Sequence, residues 1–261
     1  MKKILDMQVI RISIPAPGYA HIVLAADSPS ELPECTPGQF VQVQIPDHDT
    51  FLRRPISICD VDPQEGTLTL LVRDAGRGTR NLCHLSAGQT LNLVLPLGHG
   101  FSVPENPDSS YHPLLVGGGV GVAPLLYLAR AINARGVRPD VILGARSAAD
   151  VLLKEEFERV AHVFITTNDG SEGVHGLVTD HPAFKEEHSV IYCCGPTPMM
   201  KAVAAYARAH AVPCFVSLEN MMACGLGACL CCVEKTVDGH LCVCTHGPVF
   251  DINALTWSDH A

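Results

Sequence analysis

Residues 113–124, Pro113-Leu114-Leu115-Val116-Gly117-Gly118-Gly119-Val120-Gly121-Val122-Ala123-Pro124, decide the fold class. An apolar run ends in three glycines, and Ala123–Ala134 then carries an apolar pattern of helical period. A strand, a Gly-rich turn and a helix in that order form the context in which backbone N–H groups cradle a dinucleotide phosphate. Gly117, Gly118, Gly119 and Gly121 are therefore candidate nucleotide-binding residues. The spacing is not G-x-G-x-x-G, so tight packing at a strand–helix junction is the competing reading.

The same rhythm continues downstream. Asp140–Leu143, His162–Thr166 and Val190–Cys193 read as strands, and Val151–Val160 and Pro198–Ala209 as helices. Alternation of this kind predicts an open parallel α/β domain over residues 111–212. The strand ending in Cys194 runs into Gly195-Pro196-Thr197-Pro198-Met199-Met200, a second tight turn before a helix. Its place is the carboxyl edge, where open α/β sheets bind ligands. Alone, Cys194 is as well explained as a small buried hydrophobe.

Upstream the rhythm differs. Met7–Ile14, His21–Ala25, Phe40–Ile45, Gly66–Val72 and Thr90–Leu95 are short segments separated by Pro, Gly and Asp turns. Val41-Gln42-Val43-Gln44-Ile45 alternates with period two, as a strand with one wet face does. Closely spaced strands with no long helix predict a small antiparallel barrel over residues 1–103, and 104–110 form a polar linker. Arg53-Arg54-Pro55-Ile56-Ser57 follows the alternating strand. An arginine beside a rigid proline offers its fork to a phosphate, although Arg-Pro at a strand end is also an ordinary solvated turn. Leu71-Val72-Arg73 closes another strand, and Asp74-Ala75-Gly76-Arg77-Gly78-Thr79 leads into a short helical stretch, Arg80–Leu85. Glycines ahead of a helix expose donors to a pyrophosphate; an N-cap threonine after a tight turn gives the same pattern.

From about Cys214 the α/β pattern ends, and residues 213–261 read as a separate lobe. Cys224, Cys229, Cys232 and Cys244 are spaced C-x4-C-x2-C-x11-C. The first three reproduce the plant-type ligand spacing of a [2Fe–2S] cluster, which moves one electron at a time. Gly225 and Gly227 allow the backbone turns such a loop needs. A four-cysteine zinc site is the rival, though zinc sites usually come as paired short knuckles. Cys231 and Cys242 interleave with the four, while Cys35, Cys59 and Cys83 are isolated packing residues. His99, His175 and His246 lie in glycine-containing loops, and no histidine pair shows i, i+4 metal spacing.

Composition narrows the class. The chain has 261 residues, 47% of them hydrophobic and 17% charged, which describes a packed globular protein. A net charge of −9 without a basic cluster argues against nucleic acid as a partner. The longest apolar stretch, Leu114 to Leu126, is too short to span a membrane and contains four glycines and a proline. Lys2 and Lys3 are followed by Asp6 and Arg11 rather than by the apolar core of an export signal. Of twelve cysteines, half fall between Cys224 and Cys244, so reduced cytoplasmic thiols with metal ligation are expected.

These motifs in this order resemble the electron transfer subunit of dihydroorotate dehydrogenase B, within the ferredoxin reductase superfamily. Arg54-Pro55-Ile56-Ser57, Gly78-Thr79, the 117–124 turn, Cys194–Met200, Leu218–Gly225 and Cys244-Thr245-His246-Gly247-Pro248-Val249-Phe250 carry the resemblance, which covers essentially the whole chain. It implies a flavin-binding barrel, an NAD-binding α/β domain and a [2Fe–2S] lobe. It implies that Arg54, Pro55, Ile56 and Ser57 line FAD, that Leu71, Val72 and Arg73 flank it, and that Gly78 and Thr79 meet its pyrophosphate. Cys194 would sit near the nicotinamide, and Cys244 rather than Cys242 would be the fourth cluster ligand. The implied activity is relay of electrons from the FMN of a partner catalytic subunit, through [2Fe–2S] and FAD, to NAD+ in pyrimidine (UMP) biosynthesis. The implied assembly is a heterotetramer of two copies of each chain. Gly144-Ala145-Arg146-Ser147 departs from this picture, because an arginine after the second α/β strand can accept the phosphate of NADP. Two other functions fit the residues: the flavin/iron–sulfur subunit of a sulfide or ferredoxin:NADP oxidoreductase, and a non-catalytic adaptor stabilised by zinc.

Overall fold

The computed structural model describes residues 1–47 and 49–257. The last four residues of the expected C-terminal lobe lie outside them. Strands β1 (Lys3–Ser13), β2 (Tyr19–Ala25), β3 (Phe40–Val43), β4 (Arg54–Asp62), β5 (Thr67–Arg73) and β6 (Thr90–Leu97) close into an antiparallel barrel ordered β1-β2-β5-β4-β3-β6. Ile22, Leu24, Val41, Leu68, Leu70 and Leu93 fill its interior without exposure. Helix α1 (Arg77–Cys83) follows β5 and packs on it.

Two features of the barrel correct the sequence reading. No strand is expected at residues 54–62, where Arg54-Pro55 reads as a turn or a phosphate contact at a strand end. The structure has β4 there, and proline is tolerated because β4 begins with a partner on one side only: Arg54–Ser57 pair with β3, whereas pairing with β5 starts at Ile58. The predicted wet face of β3 is also only half wet. Gln44 is exposed, but Gln42 is fully buried, because the glycine loop at Gly225 covers it.

The second sheet has seven strands: β7 (Pro113–Gly118), β8 (Asp140–Ala145), β9 (His162–Thr167), β10 (Val174–His175), β11 (Val190–Cys194), β12 (Cys214–Ser217) and β15 (Val249–Asp251). The order is β10-β9-β8-β7-β11-β12-β15; all neighbours are parallel except β12 and β15. Leu114, Leu115, Val116, Val141 and Ile142 have no appreciable exposure, as strands covered on both faces require. Helix α2 (Val122–Asn133) connects β7 to β8, and α4 (Thr197–Ala209) connects β11 to β12 in the opposite direction along the sheet. Right-handed crossovers then put the two helices on opposite faces. The helix expected at Val151–Val160 is only the short α3 (Lys154–Glu158). Strands β12 and β15 lie beyond the point where the sequence pattern fades.

The remaining elements are the hairpin β13 (Val233–Thr236) and β14 (Gly239–Cys242) and the single turn α5 (Val243–His246). Two compact units result. Among the described residues, one comprises 1–100, 219–234 and 240–248; the other comprises 101–218, 235–239 and 249–257. The segment expected as a lobe of its own contributes to both, with every cysteine from Cys224 to Cys244 in the barrel unit.

Candidate functional site

In the barrel unit, β4 and β5 splay apart. Their last shared pair is Ile58 with Leu70; beyond it, Arg54–Ser57 keep only β3, and Leu71–Arg73 keep only β2. The two stretches nominated from sequence therefore flank one gap in the ladder, with Leu71 and Val72 buried and Arg73 exposed on its second side. Arg54, Pro55, Ile56 and Ser57 are all half-buried, as residues lining a slot should be.

Gly78 and Arg54 meet at this opening. A Cβ on Gly78 would lie 2.8 Å from Arg54 Nε and 3.1 Å from Cζ, so the missing side chain is what makes room for the guanidinium. Arg54 Nη1 donates to the carbonyls of Leu52 at 2.7 Å and Arg53 at 3.3 Å, which leaves donors of its fork for a ligand. Arg53 is different. Its guanidinium donates to Gln42 O at 3.2 Å, Asn92 O at 3.0 Å and Gln44 Oε1 at 3.3 Å, tying β3 to β6. Thr79 is turned inward: its hydroxyl accepts from the Ala75 N–H at 2.9 Å and donates to Gly76 O at 3.1 Å. It shapes the turn that presents Gly78.

The cysteine loop lies in the same unit. The Cys224 and Cys229 sulfurs are within hydrogen-bonding reach of each other, and the Cys232 sulfur has both Cys244 and Cys242 within reach. Backbone N–H groups point at the sulfurs, from Leu226 to Cys224 at 3.3 Å and from Cys244 to Cys232 at 3.4 Å. Burial acts to raise the Cys224 thiol, but the N–H groups of Leu226, Cys229 and Ala228 and the Cys229 thiol outweigh it and bring it down to about 6. Burial and the Cys232 sulfur push Cys244 up to about 12. Two sulfur groups, Cys224 with Cys229 and Cys232 with Cys244 and Cys242, served by backbone donors, fit a group with two metal ions that takes two thiolates each. Tetrahedral zinc would draw all four sulfurs to about 3.8 Å of one another. Among the described residues the only three donors with ligand atoms all within 4.8 Å are elsewhere, so these sulfurs are spread more widely.

Cys231 is exposed and Cys242 is buried beside Cys232, so the ambiguity over the fourth ligand is a real feature of the geometry. Gln42 is a residue the sequence reading missed. Neither atom of its buried amide has a hydrogen-bond partner, and it lies against the loop: a Cβ on Gly225 would be 2.7 Å from Gln42 Cγ and 2.9 Å from Nε2. An orphaned buried amide beside the cysteine loop fits a group with sulfur acceptors there. The sign in the sequence was Gln42 itself, in a strand whose neighbours are apolar.

In the α/β unit, the two nominated turns meet. Strands β8 and β9 run outward from one side of β7, and β11 and β12 from the other, so the order reverses at β7 and β11. Open sheets bind ligands outside the carboxyl ends of strands at such a point. A Cβ on Gly121 would lie 2.4 Å from Cys194 O, and one on Gly118 would lie 2.7 Å from Met199 Sδ. Cys194 pairs with Gly117 and is buried. Gly117–Gly121 and Cys194–Met199 thus form one surface packed backbone against backbone.

Comparison with known proteins gives the family. The iron–sulfur cluster binding domain of dihydroorotate dehydrogenase B matches residues 219–256, and the oxidoreductase NAD-binding domain matches residues 115–205. The chain is 41% identical over 225 residues to the dihydroorotate dehydrogenase B (NAD(+)) electron transfer subunit of Shouchella clausii, covering 84% of this chain and 86% of that one. It is 37% identical over 257 residues to the subunit of the same name from Bacillus mycoides, covering 96% and 97%. Among solved structures, an NADH-dependent reduced ferredoxin-NADP oxidoreductase that carries out flavin-based electron bifurcation superposes with a TM-score of 0.85 at 30% identity, over 96% of this chain and 90% of that one. The chain belongs to the family of dihydroorotate dehydrogenase B electron transfer subunits.

Proposed function

We propose that this member of the family is the electron transfer subunit of a dihydroorotate dehydrogenase, carrying electrons from a partner's FMN to NAD+ in pyrimidine (UMP) biosynthesis. The observation that carries the reading is the cysteine loop, whose sulfurs form two groups within the unit that also contains the β4–β5 opening. Bound there, a [2Fe–2S] cluster supplies one-electron transfer, and FAD converts between one-electron traffic and the hydride that NAD+ accepts.

The chain's own residues then have distinct tasks. Arg54 neutralises flavin phosphate, aided by the space at Gly78, and Thr79 holds the turn. Pro55, Ile56 and Ser57 on one side, with Leu71, Val72 and Arg73 on the other, orient the ring. Gly117, Gly118, Gly119 and Gly121 bring backbone close to the nicotinamide nucleotide, and Cys194 packs beside its reactive end. Cys224, Cys229, Cys232 and Cys244 ligate the cluster. Hydride transfer from flavin to nicotinamide needs no side-chain acid or base, and none is assigned.

The partner is the FMN-containing catalytic subunit, in a heterotetramer of two copies of each chain in the cytoplasm. No helix among the described residues is long and apolar enough to cross a membrane. Met221, Leu226 and Leu230 are exposed around the cysteine loop and support that face as the docking surface. The isolated chain is expected to oxidise NADH with an artificial acceptor and to leave dihydroorotate untouched; dihydroorotate turnover appears only after the partner is added. Turnover by the lone chain would defeat the proposal. A ferredoxin:NADP oxidoreductase is the second reading, favoured by the exposed Arg146 after β8. A clear preference for NADPH over NADH in the same assay would select it.

A further inference from the structure

We propose that His112, Asp140 and His188 form a binding site for one divalent cation of the zinc class, at the amino edge of the seven-stranded sheet. The parallel register brings these residues together. Leu114 lies opposite Asp140, Asp140 opposite His162, and Pro113 opposite Val190, so the lead-ins to β7, β8, β9 and β11 are side by side. The ligand atoms of His112, Asp140 and His188 all lie within 4.8 Å of one another, the only such trio among the described residues. Donors for tetrahedral zinc sit about 3.4 Å apart, so the present separations exceed that by no more than about 1.4 Å.

The hydrogen bonds fix the state of each donor. His112 Nδ1 is 2.8 Å from Glu187 O. A carbonyl can only accept, so Nδ1 carries a proton, and Nε2 is the ring nitrogen that faces Asp140 Oδ2, at 2.9 Å. His188 Nε2 is likewise committed to Ala183 O at 2.8 Å, leaving a lone pair on Nδ1 that is buried with no partner. The ring is 8% exposed, so water does not readily compensate. His162 Nδ1 lies 3.0 Å from Asp140 Oδ1 and holds the carboxylate in place.

One ligand atom from each of the three residues therefore lies close to the other two. A proton on His112 Nε2 would satisfy the contact with Asp140 and leave His188 Nδ1 orphaned. A cation satisfies all three. Metal-binding histidines characteristically donate their other ring N–H to a carbonyl, as both do here. Two imidazoles and a carboxylate suit zinc, and the half-exposed His112 leaves an open side for water. The site is at the opposite end of the strands from Gly117–Gly121. Four residues of β7, Pro113 to Val116, separate His112 from Gly117, roughly 17 Å at about 3.3 Å per residue, so the cation ties strand ends together and takes no part in electron transfer.

Protein loaded with flavin and cluster, cleared of loose metal on a chelating resin, would be titrated with Zn2+. Bound zinc and iron are counted by mass spectrometry, and thermal unfolding is followed in parallel. The wild type is expected to take up one zinc per chain without losing iron and to unfold at a higher temperature when it does. His112→Ala and His188→Gln lose both the stoichiometric uptake and the zinc-dependent rise, with iron unchanged. His162→Ala keeps the stoichiometry with affinity about 10–100-fold weaker, because it only orients Asp140. His112 is on the surface, so its variant tests the site even if His188→Gln fails to fold. No zinc uptake by the wild type at micromolar concentrations, or equal uptake by His112→Ala, would overturn the proposal.

Discussion

Gly78→Ala tests whether Arg54 serves the flavin through the space that Gly78 leaves. The added Cβ would stand 2.8 Å from Arg54 Nε, 3.1 Å from Cζ and 3.2 Å from Nη2, against an ordinary contact beginning near 3.4 Å. What must yield is the end of a flexible side chain, so the barrel absorbs the change and the guanidinium swings off its position. Losing a charge-assisted contact costs about 1.5–3 kcal/mol, which is roughly a 10- to 150-fold weaker FAD affinity. Gly76→Ala is the control: nothing lies within 4 Å of its Cβ position, and its φ of 164 is extended backbone open to any residue. At that capping position the exchange costs about 0.5–1 kcal/mol of helix stability without touching Arg54. FAD dissociation constants would be measured by flavin fluorescence for Gly76→Ala, Gly78→Ala, Arg54→Ala and the double variant Gly78→Ala/Arg54→Ala. If Gly78→Ala acts only by displacing Arg54, the double variant binds no worse than Arg54→Ala, and the coupling equals nearly the whole cost of Gly78→Ala. Additive losses, or a loss in Gly76→Ala as large as in Gly78→Ala, would refute the reasoning.

Four further outcomes follow from the same geometry. Serine at Cys224, Cys229, Cys232 or Cys244 should abolish or destabilise the cluster, while Cys231→Ser and Cys242→Ser retain it; iron, sulfide and visible absorption report this, and a retained cluster in Cys244→Ser with loss in Cys242→Ser would reassign the fourth ligand. Arg53→Ala should lower barrel stability by about 1.5–3 kcal/mol, through lost contacts to β3 and β6, with less effect on flavin affinity than Arg54→Ala; denaturant titration and flavin content separate the two. Gln42→Leu removes an amide aimed at the cysteine loop, and the cluster potential should fall by about 20–65 mV, the one-electron equivalent of one hydrogen bond; an unmoved midpoint in a redox titration would leave Gln42 without this role. Gly121→Ala places a Cβ 2.4 Å from the Cys194 carbonyl, where only backbone can yield, so it should destabilise the α/β unit by about 1–3 kcal/mol and raise KM for NADH with flavin content unchanged.

The sequence revealed whatever is encoded locally. Strand–turn–helix rhythm, the glycine turn at 117–121 and the cysteine spacing each depend on neighbours within a dozen residues. What escaped it depends on distant partners. Strand β4 was hidden by Pro55, whose missing N–H is harmless only because β4 and β5 have separated there. Gln42 read as wet because nothing in its own strand announces a loop from residue 225. Strand β15 is three residues long and is a strand by virtue of pairing with β12. The trio of His112, Asp140 and His188 has no sequence spacing at all, since parallel pairing alone brings its members together.

The buried Gln42 also bears on how far an electron travels inside the barrel unit. Gly225 directly follows Cys224, and its φ of +70 turns the loop so that its Cα rests on the Gln42 side chain. Gln42 is the cross-strand neighbour of Pro55, on the strand nominated to line the flavin. Paired residues in an antiparallel ladder have Cα atoms about 4.5–5.5 Å apart. From the cysteine loop to the flavin side of the barrel is therefore one side chain and one strand spacing, all within a unit folded as a single body. The spacing between Gln42 and Pro55 is set by the β3–β4 ladder. If the nominated residues hold cluster and flavin as proposed, the barrel is also the spacer that keeps a one-electron carrier within reach of a two-electron one. A side chain at position 225 would push the loop off Gln42, and glycine there is a requirement of that spacing as much as of the turn.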